Sequence, residues 1–370
     1  MASPRVTSLS ERIPRGRRVG AVALFVAVLI VLPLIVRSTY YQHLLITVVM
    51  NALLAMTFIV TLRTGLINVA MAGFWGMGAY ATALLETKAG ISFWAALPAS
   101  IVGTLIIAFL VGLVVVRFSG FGFVILTLVV ASIVPVLFGT FAYFGRYVGI
   151  INIPRPDPIP LPGGWQIDFV SKVPNYFLIL GIGFICVIVL WAFYSSTFGR
   201  AWRAIGLSSE LAQSVGINPF RHRLVAWLLS STIAGAVGSF YAAYSQSVVP
   251  GTFGPFKSIY IQIYGILGGM GFVIMGPVIG ALVLTLIPEI FRFLKEYEPI
   301  FTGAVIILIV IFLPQGLLGL GASLREGSPG IRWLKKWLPV GRKRQSVGQR
   351  QGEQDEPPPG GSAASDEAES

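Results

Sequence analysis

Long apolar runs separated by short polar breaks fill most of this chain. A bilayer core of ~30 Å takes about 20 apolar residues per helix. On that scale residues 19–36, 44–62, 65–85, 91–116, 121–144, 175–195 and 224–249 each read as one crossing. The run 256–291 is too long for one plain span and is cut by Gly268-Gly269-Met270-Gly271; residues 299–314 form the last run. Counting 256–291 as one crossing puts the basic tail (Arg325, Arg332, Lys335, Lys336, Arg342, Lys343, Arg344) outside, against the positive-inside rule. Two short crossings meeting near Met270 give about ten spans with both ends inside. A glycine-broken hairpin at membrane depth is tolerated where it is buried in protein or lines a cavity. The pattern therefore predicts an all-α polytopic bundle, with residues 268–271 at a pathway or a packed helix contact.

The polar segments differ in kind. Residues 196–223, STFGRAWRAIGLSSELAQSVGINPFRHR, form a charged, helix-forming insert where a tight turn would suffice for spanning. Residues 198–215 read as one short helix before the turn GINP, with an apolar edge (Ala201, Ala204, Ile205, Leu211, Val215) and a polar one (Arg200, Arg203, Glu210). Such a helix either lies on lipid headgroups or docks a cytoplasmic partner. Residues 145–174 contain IPRPDPIPLPGG, a proline-rich extended piece that caps the external mouth. Glu86, Lys88 and Asp157 fall in outside loops; Arg63, Arg117, Arg200, Arg203, Arg221 and Arg223 fall inside. This divides the chain into a basic cytoplasmic N-terminus (1–18), a membrane domain (19–320) and a tail (321–370) whose polar end has the composition of a disordered segment. The first run is read as a retained helix, since no A-x-A-like cleavage site follows it.

Composition agrees. The chain is 55% hydrophobic and 11% charged over 370 residues. Soluble domains carry roughly 25% charged residues. The net charge of +12 sits at the ends and in short loops, which fits membrane topology and lipid headgroups rather than nucleic acid. One cysteine and two histidines exclude a disulfide framework and a histidine metal site. No phosphate-binding G-x-x-x-x-G-K-[ST], zinc-protease or nucleophile-elbow motif is present, so no catalytic residue, metal site or cofactor is assigned.

Polar groups inside the runs are Asn51, Thr57, Asn68, Thr127, Ser132, Ser230, Ser231, Thr232, Ser239, Gln246, Gln262 and Thr285; none is charged. Ion-coupled carriers usually keep an intramembrane charge, so the energy for transport is expected from elsewhere. Hydroxyls there commonly bond back to helix carbonyls. Asn68 and Gln262 are the better lining candidates, because a bare amide in lipid needs a partner. Small residues (Gly65, Ala72, Gly73, Gly76, Gly78, Ala79; Gly235, Ala236, Gly238; Gly276, Gly280) permit close helix packing or leave room for a solute. The candidate path is Asn68, Gly73, Gly76, Thr127, Gln262, Gly268 and Gly269. A short internal echo, GFWGMGAY against GFVIMGPV, is noted.

The insert FGRAWRAIGLSSELAQSVGIN resembles the cytoplasmic loop of branched-chain amino-acid ABC transporter permeases, FGRALRAIRE.E..A...GIN. LGGMGFVIMGPVIGA is similar to that family's LGG.G...GPV.GA, and TGLINVAMAGFWGMGAY to its G.LS.GHAAFFGIGAY. FGFVILTLVVASIV, IPRP and LPQGLLG match further landmarks, over residues 51–319. The resemblance implies a plasma (inner) membrane permease subunit. Its partners would be a homologous permease, two ATP-binding cassette subunits that hold ATP and Mg, and an external solute-binding protein. It carries the ATPase-coupling surface onto Gly199, Arg200, Arg203, Ala204, Glu210 and Gly216. The chain departs from the pattern at Asn68, Ala70 and Met71, at Tyr260 before the hairpin, and at GRYVGI before IPRP. Related permeases for urea, short amides or other small polar solutes therefore stay open beside branched-chain amino acids, as does a stand-alone carrier or channel.

Overall fold

The computed structural model describes residues 27–36, 38–160, 166–312 and 316–319. These belong to one unit, which runs to Arg325; the basic N-terminus 1–18 and the tail 321–370 lie outside the described residues. After a helical stretch at 27–35 come α1 (Thr39–Leu62), α2 (Met71–Thr87), α3 (Phe93–Val115), α4 (Gly120–Thr140), α5 (Lys172–Ser195), α6 (Thr197–Leu207), α7 (Ser209–Ser214), α8 (Pro219–Ser245), α9 (Pro255–Gly269), α10 (Met275–Phe291) and α11 (Glu298–Phe312). Helices α1, α3, α4, α5 and α8 are long and apolar enough to cross a membrane. The expected all-α polytopic bundle is what the chain forms, with α9 and α10 as the two arms of the glycine-broken hairpin.

Burial sorts the helices into two groups. The most apolar stretches of α1 and α8 are 78% and 67% buried, against 28% for α3, α4 and α5. Helices α1, α2 and α8 therefore make the centre, and the others present one face outward, as Val102, Ile106 and Leu110 do along α3. In lipid that face costs nothing, so the outer helices are apolar all round instead of two-sided. Backbones at the centre approach through glycine. A Cβ at Gly78 would collide with the Gly235 carbonyl, and one at Gly238 with the Trp75 carbonyl. Gly112 is likewise roofed by the Trp227 indole, 2.7 Å from where a Cβ would sit, and that indole donates to Ala108 O (2.8 Å).

The run 65–85 is not one helix. Helix α1 ends at Leu62, the chain turns through Gly65 at φ 76°, and residues 66–70 are non-helical before α2 starts at Met71. The 17 residues of α2 span about 25 Å at 1.5 Å each, short of the bilayer core. The extended lead-in supplies the missing length. Glu86, expected in an outside loop, lies instead in the last turn of α2 and is 6% exposed, and among the described residues neither of its carboxylate oxygens has a hydrogen-bond partner. Gln246 moves the other way: it is the left-handed cap (φ 56°) just past α8, not a residue within the crossing.

The segment between α4 and α5 is extended where prolines demand it. It pairs with the end of α8 through β1 (Ile150–Ile151) and β4 (Ser247–Val248), in the register Ile150↔Val248, and closes a small hairpin of β2 (Ile159–Pro160) and β3 (Gln166–Ile167). The internal echo has no structural counterpart. Gly73 is the third residue of α2, whereas Gly271 precedes α10.

Candidate functional site: the coupling loop and the broken helix

The 196–223 insert folds as two helices, where one had been expected. Ser208 breaks the run in extended geometry (φ −159°, ψ 118°), and its hydroxyl accepts from Leu211 N (3.3 Å), capping α7. Ser196 caps α6 by accepting from Phe198 N (3.2 Å), and Asn218 caps α8 by accepting from Arg221 N (3.3 Å) ahead of Pro219. Gly216, at φ 84°, turns the chain out of α7.

The expected apolar edge is split. Ala201, Trp202 and Ile205 point inward and are buried. Trp202 donates from its indole to His222 O (2.9 Å) and lies against Phe193 and Tyr194. Leu207, Leu211 and Val215 instead face out, 90%, 71% and 74% exposed. Of the coupling residues, Arg200, Arg203, Glu210 and Gly216 are exposed and Ala204 is half-buried. Gly199 is not at the surface: a Cβ there would strike the Tyr194 carbonyl, so it is a packing residue.

The loop is bolted to the membrane part at one corner. Gly206 presses on the Arg63 carbonyl too closely for any Cβ, and its Cα lies 3.8 Å from where a Cβ of Gly65 would be. The Arg63 guanidinium donates to Met270 O (3.0 Å) and Gly271 O (2.6 Å) at the hairpin bend. Arg223 donates from Nε to Thr64 O (3.3 Å). One turn, Arg63–Gly65, thus touches the 196–223 loop and the hairpin, and leads straight into residues 66–70.

Those residues carry buried backbone amides with no helix to satisfy them, which is costly unless other groups step in. Val69 N donates to Thr127 Oγ1 (3.2 Å), Ala70 N to Asn68 Oδ1 (2.8 Å), and Ala72 N to Ser258 Oγ (3.0 Å). Gln262 Nε2 donates to Asn68 O (3.2 Å). The thioether of Met71 lies 3.0 Å from Thr57 Oγ1 and 3.2 Å from Ser230 Oγ, hydroxyls that donate to Leu54 O and Thr57 O, with Asn68 Nδ2 at 3.8 Å. Asn68, Thr127 and Gln262 therefore come together around residues 68–70, while Gly73, in the first turn of α2, packs on Val134. Gly76 lies apart, under Phe253, 2.7 Å from where a Cβ would sit. Gly268 and Gly269 lie apart as well, in a tight contact with Gly276, Gly280 and Gly316. The amides do find partners: Gln262 Nε2 and Asn68 Oδ1 on backbone, Asn68 Nδ2 at the Met71 thioether. Hydroxyls at Thr57, Ser132, Thr232 and Ser239 bond back to their own helices.

Sequence reasoning missed Arg63, Ser258, Trp202 and the outward Leu207. A basic residue at a loop edge and a serine in an apolar run carry no local mark of a distant partner. Leu207, followed by two serines, did carry one: a capping signal for a second helix.

Residues 40–310 match the family model for the branched-chain amino acid transport system permease component. The chain belongs to this family. It is 30% identical over 273 residues to the high-affinity branched-chain amino acid transport system permease protein LivM of Salmonella typhimurium, and equally to that of Escherichia coli, covering 69% of this chain and 64% of LivM. It thus spans less than two thirds of the length of these relatives. It is also 27% identical over 324 residues to the autoinducer 2 import system permease protein LsrC of Escherichia coli (81% of this chain, 87% of LsrC). A probable branched-chain amino acid transport permease protein LivH of Methanocaldococcus jannaschii is 25% identical over 298 residues. No solved structure matches.

Proposed function

We propose that this chain is the permease subunit of an ATP-driven importer for branched-chain or related amino acids, worked from its cytoplasmic face by separate ATP-binding cassette subunits. The observation that carries the reading is the rigid mounting of an outward apolar trio, Leu207, Leu211 and Val215, flanked by Arg200, Arg203 and Glu210. Apolar side chains this exposed beside charges, on a loop braced from below, suit a protein partner. A helix resting on headgroups would turn its apolar face to the lipid, whereas the inward face here is filled by Trp202 and Ile205.

The route of force follows from contact. A push on α6 is delivered through Gly206 to the Arg63–Gly65 turn, and from there to the broken segment 66–70 and, through the Arg63 guanidinium, to the hairpin bend. Both receivers are non-helical and so shift at lower cost than the middle of a helix. The solute path runs past the broken segment, where Ile67 is 46% exposed between buried neighbours, with Asn68, Thr127 and Gln262 holding its shape. A second homologous permease, a solute-binding protein and an inner-membrane setting with both termini cytoplasmic complete the proposal.

The similarity to LsrC, over more of both chains than LivM, supports a second reading for the solute: another small polar molecule. The test is uptake into proteoliposomes. With ATPase, second permease and binding protein present, radiolabelled leucine is concentrated only when ATP is supplied; this chain alone is inert. Concentrative uptake by this chain alone would refute the reading, and ATP-driven uptake of other solutes but not of leucine, isoleucine or valine would establish the second one.

A further inference from the structure

The far end of α8 holds a second cluster of cations, arranged unlike the first. Helix α8 is 27 residues, about 40 Å at 1.5 Å per residue, so its Ser245 end lies on the opposite side of the bundle from the 196–223 loop. Helix α5 begins there with Lys172 and ends at the loop. Between these ends is a cavity of about 40 Å³, lined by Arg155, Lys172, Asn175, Tyr244 and Gln246 among others. That is room for a small polar group, above the roughly 10–15 Å³ that one water needs.

Each wall is fixed. Arg155 donates to Val170 O (3.3 Å) and to Gln246 Oε1 (3.4 Å), and β1 pairing with β4 ties its loop to α8. Asn175 donates to Phe169 O and Ser171 O, both 2.8 Å. Lys172 Nζ stands 4.5 Å from the Tyr244 ring centroid, and the Tyr244 hydroxyl is 2.6 Å from His43 Nδ1. Among the described residues Lys172 has no hydrogen bond and neither cation has a carboxylate partner; the ion pair found is Arg292–Glu289, elsewhere. Two cations lining one cavity without a counter-charge among the described residues make a setting that favours an anion. A cavity this small suits a planar carboxylate better than a tetrahedral phosphate, which has more oxygens to seat.

We propose that this pocket binds the carboxylate of a small solute on the face opposite the coupling loop, with Arg155 and Lys172 as its two cationic contacts. The pocket rests on its own residues; its ligand as the transported amino acid rests on the permease reading above. The test is saturation-transfer NMR on the full chain in lipid nanodiscs, with acetate as probe and acetamide as its neutral counterpart. Acetate receives saturation and acetamide does not. Lys172→Gln and Arg155→Gln each weaken acetate binding at least about tenfold, while Lys172→Arg, which keeps the charge, stays near the parent chain. Leucine displaces acetate and leucinamide does not. Equal signals from acetate and acetamide, or an acetate signal unmoved by Lys172→Gln, would overturn the site; displacement by leucinamide as strong as by leucine would overturn the solute's carboxylate as its occupant. Leucine uptake by the assembled transporter together with an unresponsive pocket sinks this site and leaves the permease reading standing. Acetate binding without uptake does the reverse.

Discussion

Where α2 crosses α8, small residues are consumed inside the chain; on the 196–223 loop, large apolar ones are left over. At the crossing Gly78, Gly235 and Gly238 have backbone or side-chain atoms within collision range of any added Cβ. On the loop Leu207, Leu211 and Val215 stand in the open. The difference follows from the solvent. In lipid an apolar side chain gains nothing by being hidden, so contact between helices depends on how close two backbones can come. Next to water an exposed leucine is a cost that only a partner removes. Interior glycines therefore report on the fold, and exterior leucines are what the proposed docking rests on.

The strongest break of this comparison is Gly238→Leu. Overpacking against the Trp75 carbonyl is expected to cost about 3 kcal/mol or more, read as loss of the monodisperse species in detergent. Gly181→Leu, where nothing lies within 4 Å, is the matched control and should fold. Equal tolerance of both would mean that the crossing is not glycine-dependent.

Arg63→Gln comes next, at about 2 kcal/mol for the lost charged hydrogen bonds to Met270 O and Gly271 O. Amide exchange at the hairpin bend should quicken. If the proposed relay holds, uptake by the assembled transporter should fall while the ATPase remains bound, since Arg63 lies behind the proposed docking surface. Loss of ATPase binding instead would place Arg63 in the interface.

The double variant Leu207→Asp, Leu211→Asp reverses the pattern. Co-purification of ATPase subunits should drop about tenfold, near 1.4 kcal/mol, with thermal stability of the isolated chain unchanged. A stability loss would show that these side chains pack within the chain after all. Smallest is Ser258→Ala, about 1 kcal/mol, because one buried amide, Ala72 N, loses its acceptor. Thermal unfolding in detergent reads it, and Ser132→Ala, whose hydroxyl bonds only to its own helix, should move it far less.

Much of the architecture is legible in the residue pattern, since a bilayer imposes one length scale on every crossing. The hairpin was readable from the length of the run 256–291 and its glycine cut, Gly268–Gly271, because one crossing takes about 20 residues. The 196–223 loop was readable as well, from charge in an apolar chain. The break before α2 was not. Residues 65–85 are as apolar as a helix, and what serves the amides of 66–70 in place of helix carbonyls are side chains, Thr127 on α4 for Val69 and Asn68 for Ala70, while Ser258 on α9 takes the Ala72 amide in the first turn of α2.

The sequence by itself determined that the chain is an all-helical bundle of apolar segments and which segment, 196–223, stands apart from them, because hydropathy and charge act on each segment locally. Only the tertiary structure decided which polar groups meet: Arg63 with the hairpin, Asn68 with Gln262, Arg155 with Lys172 around one cavity. Those meetings depend on helix rotation and on backbone approach to within a methyl's width. Neither is written in any single segment.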